Sequence, residues 1–84
     1  MAHRILKNAG LALPWMERRK ELERERERIH AELARDRGRD PEGAVDRFRA
    51  AAGELNRRLA LHNVDLPRSA VPAPPVDVER AARG

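Results

Sequence analysis

Cysteine is absent from this 84-residue chain, and with it go disulfides and thiolate metal sites. That fits a reducing compartment. Threonine and tyrosine are missing too, and Ser69 is the only serine. A Ser-His-Asp device would have to be built on Ser69, in a stretch that reads as irregular, and is rejected on that ground. Aromatic residues make up 2% of the chain, Trp15 and Phe48. So few rings leave little large apolar surface to bury and no stacking platform for single-stranded RNA. No apolar run approaches the ~20 residues of a membrane span. The N-terminus lacks the apolar core and small-residue cleavage site of a signal peptide. Glycine-rich phosphate loops are also missing. The three histidines, His3, His30 and His62, are not spaced as metal ligands. The expectation is a cytoplasmic protein with no membrane association, no cofactor and no catalytic residue.

What the chain does have is charge. Charged residues form 38% of it, with 18 Lys and Arg against 14 Asp and Glu, for a net charge of +4. A basic excess can signal nucleic acid or another anionic surface. Here acids and bases alternate through Glu21-Leu22-Glu23-Arg24-Glu25-Arg26-Glu27-Arg28, which weakens that reading. Like charges then fall at i,i+4 and opposite charges at i,i+3, such as Glu25 with Arg28. Each pair is worth only ~0.2–0.5 kcal/mol of either sign, and the two sets nearly cancel. Such a helix needs something docked on its apolar stripe. A chain this short is marginal even with an ordinary core, so a partner or a dimer is expected.

Two long helices can be read from the pattern. Pro14 suits a first helical position, and Trp15, Leu22, Ile29 and Leu33 then form one narrow stripe over residues 14–37. Gly38 reads as a left-handed cap. Asp40 as N-cap, Pro41 at the first position and Glu42 in the first turn start a second helix over residues 41–63. Its seam is Val45, Phe48, Ala52, Leu55, Leu59 and His62, alternating steps of three and four as in a coiled coil. Asn63 is the expected left-handed cap. In an antiparallel hairpin, Trp15 faces His62, Leu22 faces Leu55, Ile29 faces Phe48, and Leu33 lands near Val45. The fold class is therefore all-α: an antiparallel, coiled-coil-like two-helix hairpin with a short N-terminal turn over residues 2–8, together spanning 1–68. An extended proline-rich arm follows over 69–84. Asp77 is expected to cap a last short helix, with residues 81–84 frayed, and the arm is expected to pack either on its own hairpin, where Leu13, Trp15 and Leu59 need a cover, or on a partner. Leu55→Asp should unfold such a hairpin, whereas Arg26→Asp should scarcely change its melting.

The binding candidates lie at one end. Pro14, Trp15, Leu59, His62, Asn63 and Pro67 converge where both helices exit, as a candidate interaction surface. Arg18, Arg19, Lys20, Arg57 and Arg58 sit at the same end as candidate contacts to RNA or another anion. Arg35, Arg37, Arg39, Arg47 and Arg49 gather at the turn end. His30 lies off the stripe, toward solvent.

Three segments, in order, resemble one family. Lys7-Asn8-Ala9-Gly10-Leu11-Ala12-Leu13-Pro14-Trp15 looks like a Leu-Lys-Asn-Ala-Gly…Pro-Pro-Trp motif, with Leu13-Pro14 where the family has two prolines. Glu54-Leu55-Asn56-Arg57-Arg58-Leu59, His62-Asn63 and Pro67 resemble its second motif, and Pro75-Val76-Asp77-Val78-Glu79 its closing one. The family is the conserved domain of the DnaJ homologue subfamily C member 28 proteins. Its usual upstream Phe-Asp-Asn-Leu-Pro-Gly-like segment and the His-Pro-Asp of a J-domain are not found in this sequence. The resemblance implies chaperone association and supplies no catalytic residue. The leading reading is a non-enzymatic protein-interaction module, a chaperone-linked adaptor whose partner is a chaperone, a client or a second copy. The alternative is a ribosome- or RNA-associated factor using the arginine faces.

Overall fold

The computed structural model of the chain describes residues 14–84. The expected N-terminal turn over residues 2–8 lies outside them. Three helices follow in order: α1 (Pro14–Arg37), α2 (Pro41–Val64) and α3 (Val78–Arg83). Strands are absent from the described residues. The two long helices pack against each other in a hairpin-like arrangement, and the short α3 packs on α2. No described helix is long and apolar enough to cross a membrane.

The seam residues build the core. Leu22, Ile29 and Leu33 of α1 are buried with Ala44, Phe48, Ala52, Leu55 and Leu59 of α2 in one cluster. Each large aliphatic or aromatic side chain so buried contributes ~1.5–3 kcal/mol. The expected position of Val45 is corrected by one residue. Ala44 points inward and Val45 is half-buried at the edge. Only three residues separate the helices here, and the small Ala44 fits the space that this short link leaves.

That link is held by hydrogen bonds to one carbonyl. Asp36 O accepts from Arg39 N at 3.0 Å and from Asp40 N at 2.8 Å, while the Asp40 carboxylate caps α2 by accepting from Gly43 N at 3.1 Å. These bonds close α1 without a left-handed residue. The described glycines and non-glycine residues all have negative φ, which corrects the expected caps at Gly38 and Asn63. α2 runs one residue past Asn63, and Asp65 ends it by donating back to His62 O at 3.3 Å.

Residues 71–77, here called the strap, lie against the hairpin-like pair with Ala73 and Val76 buried in the same core. The sequence explains their attachment. Among residues 72–76 only Ala73 and Val76 have a backbone N–H, because the other three are prolines. Those two N–H groups donate to asparagine side chains of α2: Ala73 N to Asn63 Oδ1 at 2.8 Å and Val76 N to Asn56 Oδ1 at 2.7 Å. The amides return the bond, Asn63 Nδ2 to Ala73 O at 2.9 Å and Asn56 Nδ2 to Val76 O at 3.1 Å. Seven helical residues rise about 10.5 Å, and three residues of extended polyproline chain rise about 9 Å. The two periods match, and beyond the extended stretch Arg49, seven residues before Asn56, pairs with Glu79 in the first turn of α3.

Side chains of α1 complete the fastening. Arg26 donates to Pro74 O. Replacing it therefore removes a strap contact, which corrects the view of Arg26 as a neutral surface position. Arg37 Nη2 donates to Ala81 O at 2.9 Å and Ala82 O at 2.8 Å. It thereby closes the C-terminal carbonyls of α3, and residues 81–83 are helical rather than frayed.

Candidate functional site

The end of the molecule where α1 begins and α2 finishes is built around His62. Trp15 packs beside it with ring centroids 6.4 Å apart and planes at 45°. Arg19, one turn along α1, lies over the Trp15 ring at 5.5 Å and donates Nε–H to His62 Nε2 at 3.2 Å. A nitrogen that accepts cannot carry a proton, so the neutral His62 ring holds its proton on Nδ1. Burial lowers the His62 pKa below the usual imidazole value, with Arg19 and Arg18 adding to the effect and Asp65 opposing it. Three N–H donors, Trp15 Nε1, Arg19 Nη2 and His62 Nδ1, are thus buried without a hydrogen-bond partner among the described residues.

Two hollows flank this group. One, about 420 Å³, is lined by Arg18, Glu21, Leu22, Arg58, Leu61, His62 and Asp65. The other, about 530 Å³, lies on the strap side and includes Arg19, Leu59 and Val71–Pro74. The exposed large apolar side chains among the described residues all belong to this end: Met16 (39% exposed), Leu61 (70%), Val64 (79%) and Val71 (74%). The turn end has none of them.

The six candidate interaction residues divide by burial. Pro14 and Pro67 are exposed and Trp15 is half-buried. Leu59 and His62 are core residues, and the Asn63 amide is committed to Ala73. The cationic candidates divide in the same way. Lys20 pairs with Glu17 at 4.0 Å, Arg57 pairs with Glu54, and Arg19 is held by His62. Arg18 and Arg58 make no ion pair among the described residues and line the same hollow. At the turn end every named arginine is engaged. Arg39 at 2.9 Å, Arg47 at 3.5 Å and Arg35 at 3.6 Å surround Asp36, while Arg37 and Arg49 hold α3. The hydrogen bond from Arg39, then the charges of Arg47 and Arg35, keep the Asp36 carboxyl below its ordinary pKa. Similarly, Arg28 lowers Glu25. His30 is exposed, donates Nδ1–H to Arg26 O at 2.8 Å, and meets Phe48 edge-on with ring centroids 5.2 Å apart.

Sequence reasoning missed Leu61, Val64 and Val71 as the exposed apolar group, and Asn56 as a strap ligand. A signal for Asn56 existed: two asparagines seven apart on one helix, and two N–H groups three apart between prolines. Among the described residues no three His, Asp or Glu side chains come together as a metal site. Comparison of the chain with protein-family models, curated proteins and solved structures found no significant match.

Proposed function

We propose that this chain is a non-enzymatic protein-interaction module of the cytoplasm. Its frame is an antiparallel, coiled-coil-like hairpin buttressed by its proline-rich arm, and its docking surface is the His62 end. The observation that carries this reading is the concentration of Met16, Leu61, Val64 and Val71 at that one end, beside buried N–H donors with no acceptor among the described residues. Singly scattered apolar residues need no explanation, whereas their concentration at one end supports an interaction site there. The motifs resembling the DnaJ homologue subfamily C member 28 domain support a chaperone-linked adaptor within that class. The test is capture from cell lysate with the wild-type chain and with Leu61→Asp/Val64→Asp. A protein retained by the wild type after nuclease treatment, and lost from the variant, is expected. Equal capture by both would overturn the docking surface.

A second reading, a ribosome- or RNA-associated factor, has one observation in its favour. Arg18 and Arg58 face the same hollow without an ion pair among the described residues. It predicts binding that nuclease abolishes and that weakens steeply with salt. Arg19, Lys20 and Arg57, the other cationic candidates of that end, are already engaged, and aromatic platforms for bases are lacking, so the protein-binding reading stands first.

A further inference from the structure

We infer that His62 and Arg19 form a proton-operated latch: protonation of the buried His62 ring expels the Arg19 guanidinium and frees the first turn of α1, carrying Trp15 into water. As regulation of the docking surface this rests on the reading above; as a property of the fold it does not. The latch is a matter of donors and acceptors. Arg19 lies over Trp15 and donates Nε–H to His62 Nε2, so one guanidinium ties the start of α1 to the last turn of α2. Trp15 Nε1, Arg19 Nη2 and His62 Nδ1 are buried beside that bond as further donors without an acceptor. Among the described residues, His62 Nε2 is the one hydrogen-bond acceptor that serves this group.

The place of protonation follows from the same bond. The neutral ring keeps its proton on Nδ1, so a second proton can go only to Nε2, the atom that Arg19 holds. Two N–H groups cannot both occupy the line between Arg19 Nε and His62 Nε2, and two cations would stand 3.2 Å apart in a buried site. Protonation and the Arg19 bond therefore exclude each other. The group then holds donors alone, and buried donors without partners are costly, so Arg19 must turn out to water. Charged groups face His62 from both helices: Arg18, Arg19 and Glu21 from α1, and Arg58 and Asp65 from α2 and its cap. Residues 71–76 of the strap carry no titratable side chain. His62 Nδ1 bonds to neither carboxylate. Burial, then the charges of Arg19 and Arg18, hold the ring neutral against the pull of Asp65. The latch is thus closed near neutral pH and opens on acidification.

The opening is confined to one end. Asn56 and Asn63 fasten the strap, Arg37 and Arg49 fasten α3, and Leu22, Ile29 and Leu33 stay packed on α2. None of these contacts passes through Arg19 or the His62 ring. Trp15 is half-buried while the latch is closed. Released beside Met16, it adds an indole to the exposed apolar side chains of that end.

Trp15 is the only tryptophan and reports on the latch directly. Its emission maximum and its quenching by acrylamide are followed in the full chain from about pH 7.5 to about pH 5, beside far-UV circular dichroism and the His62 ring-proton resonances. A red shift and faster quenching that track the His62 titration, with helicity kept, are expected. His62→Gln, which still offers Arg19 an acceptor, should abolish the transition. Arg19→Gln, whose amide can turn to accept from the protonated ring, should raise the His62 midpoint and uncouple Trp15 from pH. Trp15 signals that stay constant while His62 titrates overturn the latch, as does a fluorescence change that coincides with loss of helicity. A transition that persists in His62→Gln, or a His62 midpoint that Arg19→Gln leaves unchanged, also overturns it. Lysate capture at about pH 7.5 with Leu61→Asp/Val64→Asp decides the docking surface separately, so the failure of either reading leaves the other standing.

Discussion

His62 is the residue whose chemical state most affects the candidate site. Burial and the charges of Arg19 and Arg18 lower its native pKa below the unfolded value of about 6.5. A group shifted down in this way contributes stability that is complete above the unfolded value and is lost as pH falls through the native one. Protonation also removes the lone pair that accepts from Arg19. Melting temperature should therefore drop between about pH 7.5 and about pH 5.5, a window in which carboxylates remain ionised. His62→Gln should flatten that dependence, and an unchanged slope would show that His62 is not its source. The asparagines give a second residue-level prediction. Asn56→Ala leaves the N–H and C=O of buried Val76 without their partner, at a cost of about 1–3 kcal/mol. Arg57→Ala, which removes one exposed ion pair, should cost well under about 1 kcal/mol by denaturant titration.

Within the elements, glycine positions separate structural need from tolerance. A side chain at Gly53 would meet open space, and the residue sits mid-helix in α2. Gly53→Ala should raise stability by about 0.5–1 kcal/mol, read from thermal unfolding. Gly43 is the reverse case, because a Cβ there would collide with the Asp40 carboxylate that caps the helix. Gly43→Ala should therefore displace the cap, worth about 0.5–2 kcal/mol, and cancel most or all of the gain that the same change gives at Gly53. The long helices were legible in the sequence because their starts carry local chemistry, Pro14 in one and Asp40-Pro41 in the other, and their stripes carry the helical period. Left-handed caps at Gly38 and Asn63 do not form because carbonyls near the helix ends are satisfied by backbone donors from the next residues, a choice no single residue type announces. The three-four spacing extends the seam to Val45, whereas the close link brings the smaller Ala44 inward. The strap was legible as extended chain but its fastening was not. Asn56 reads as a polar surface residue until the proline spacing beside it is converted into available N–H groups. The candidate site was legible as a place, through Trp15 and His62, whereas its exposed side chains lie off the seam that drew attention.

For the whole molecule, size sets the scale of every effect. A core this small supplies a net stability of only about 3–5 kcal/mol. Leu55→Ala, at a fully buried position, costs about 2–5 kcal/mol. The chain carrying it should be largely unfolded by circular dichroism unless a partner is present. The strap adds rungs to that small core at residues 63 and 73 and at residues 56 and 76, and the pair of residues 49 and 79 fastens α3 beyond it. This fixed exchange rate of seven helical residues for three extended ones limits which length changes the protein can absorb. A single residue inserted between Asn56 and Asn63, or between Ala73 and Val76, puts one rung out of phase with the other. A full heptad added to both long helices, with one more three-residue unit in the strap, restores all rungs. Lengthening during descent is therefore permitted only as a coordinated set of insertions at distant points of the gene. Related chains of different length should differ by those units together.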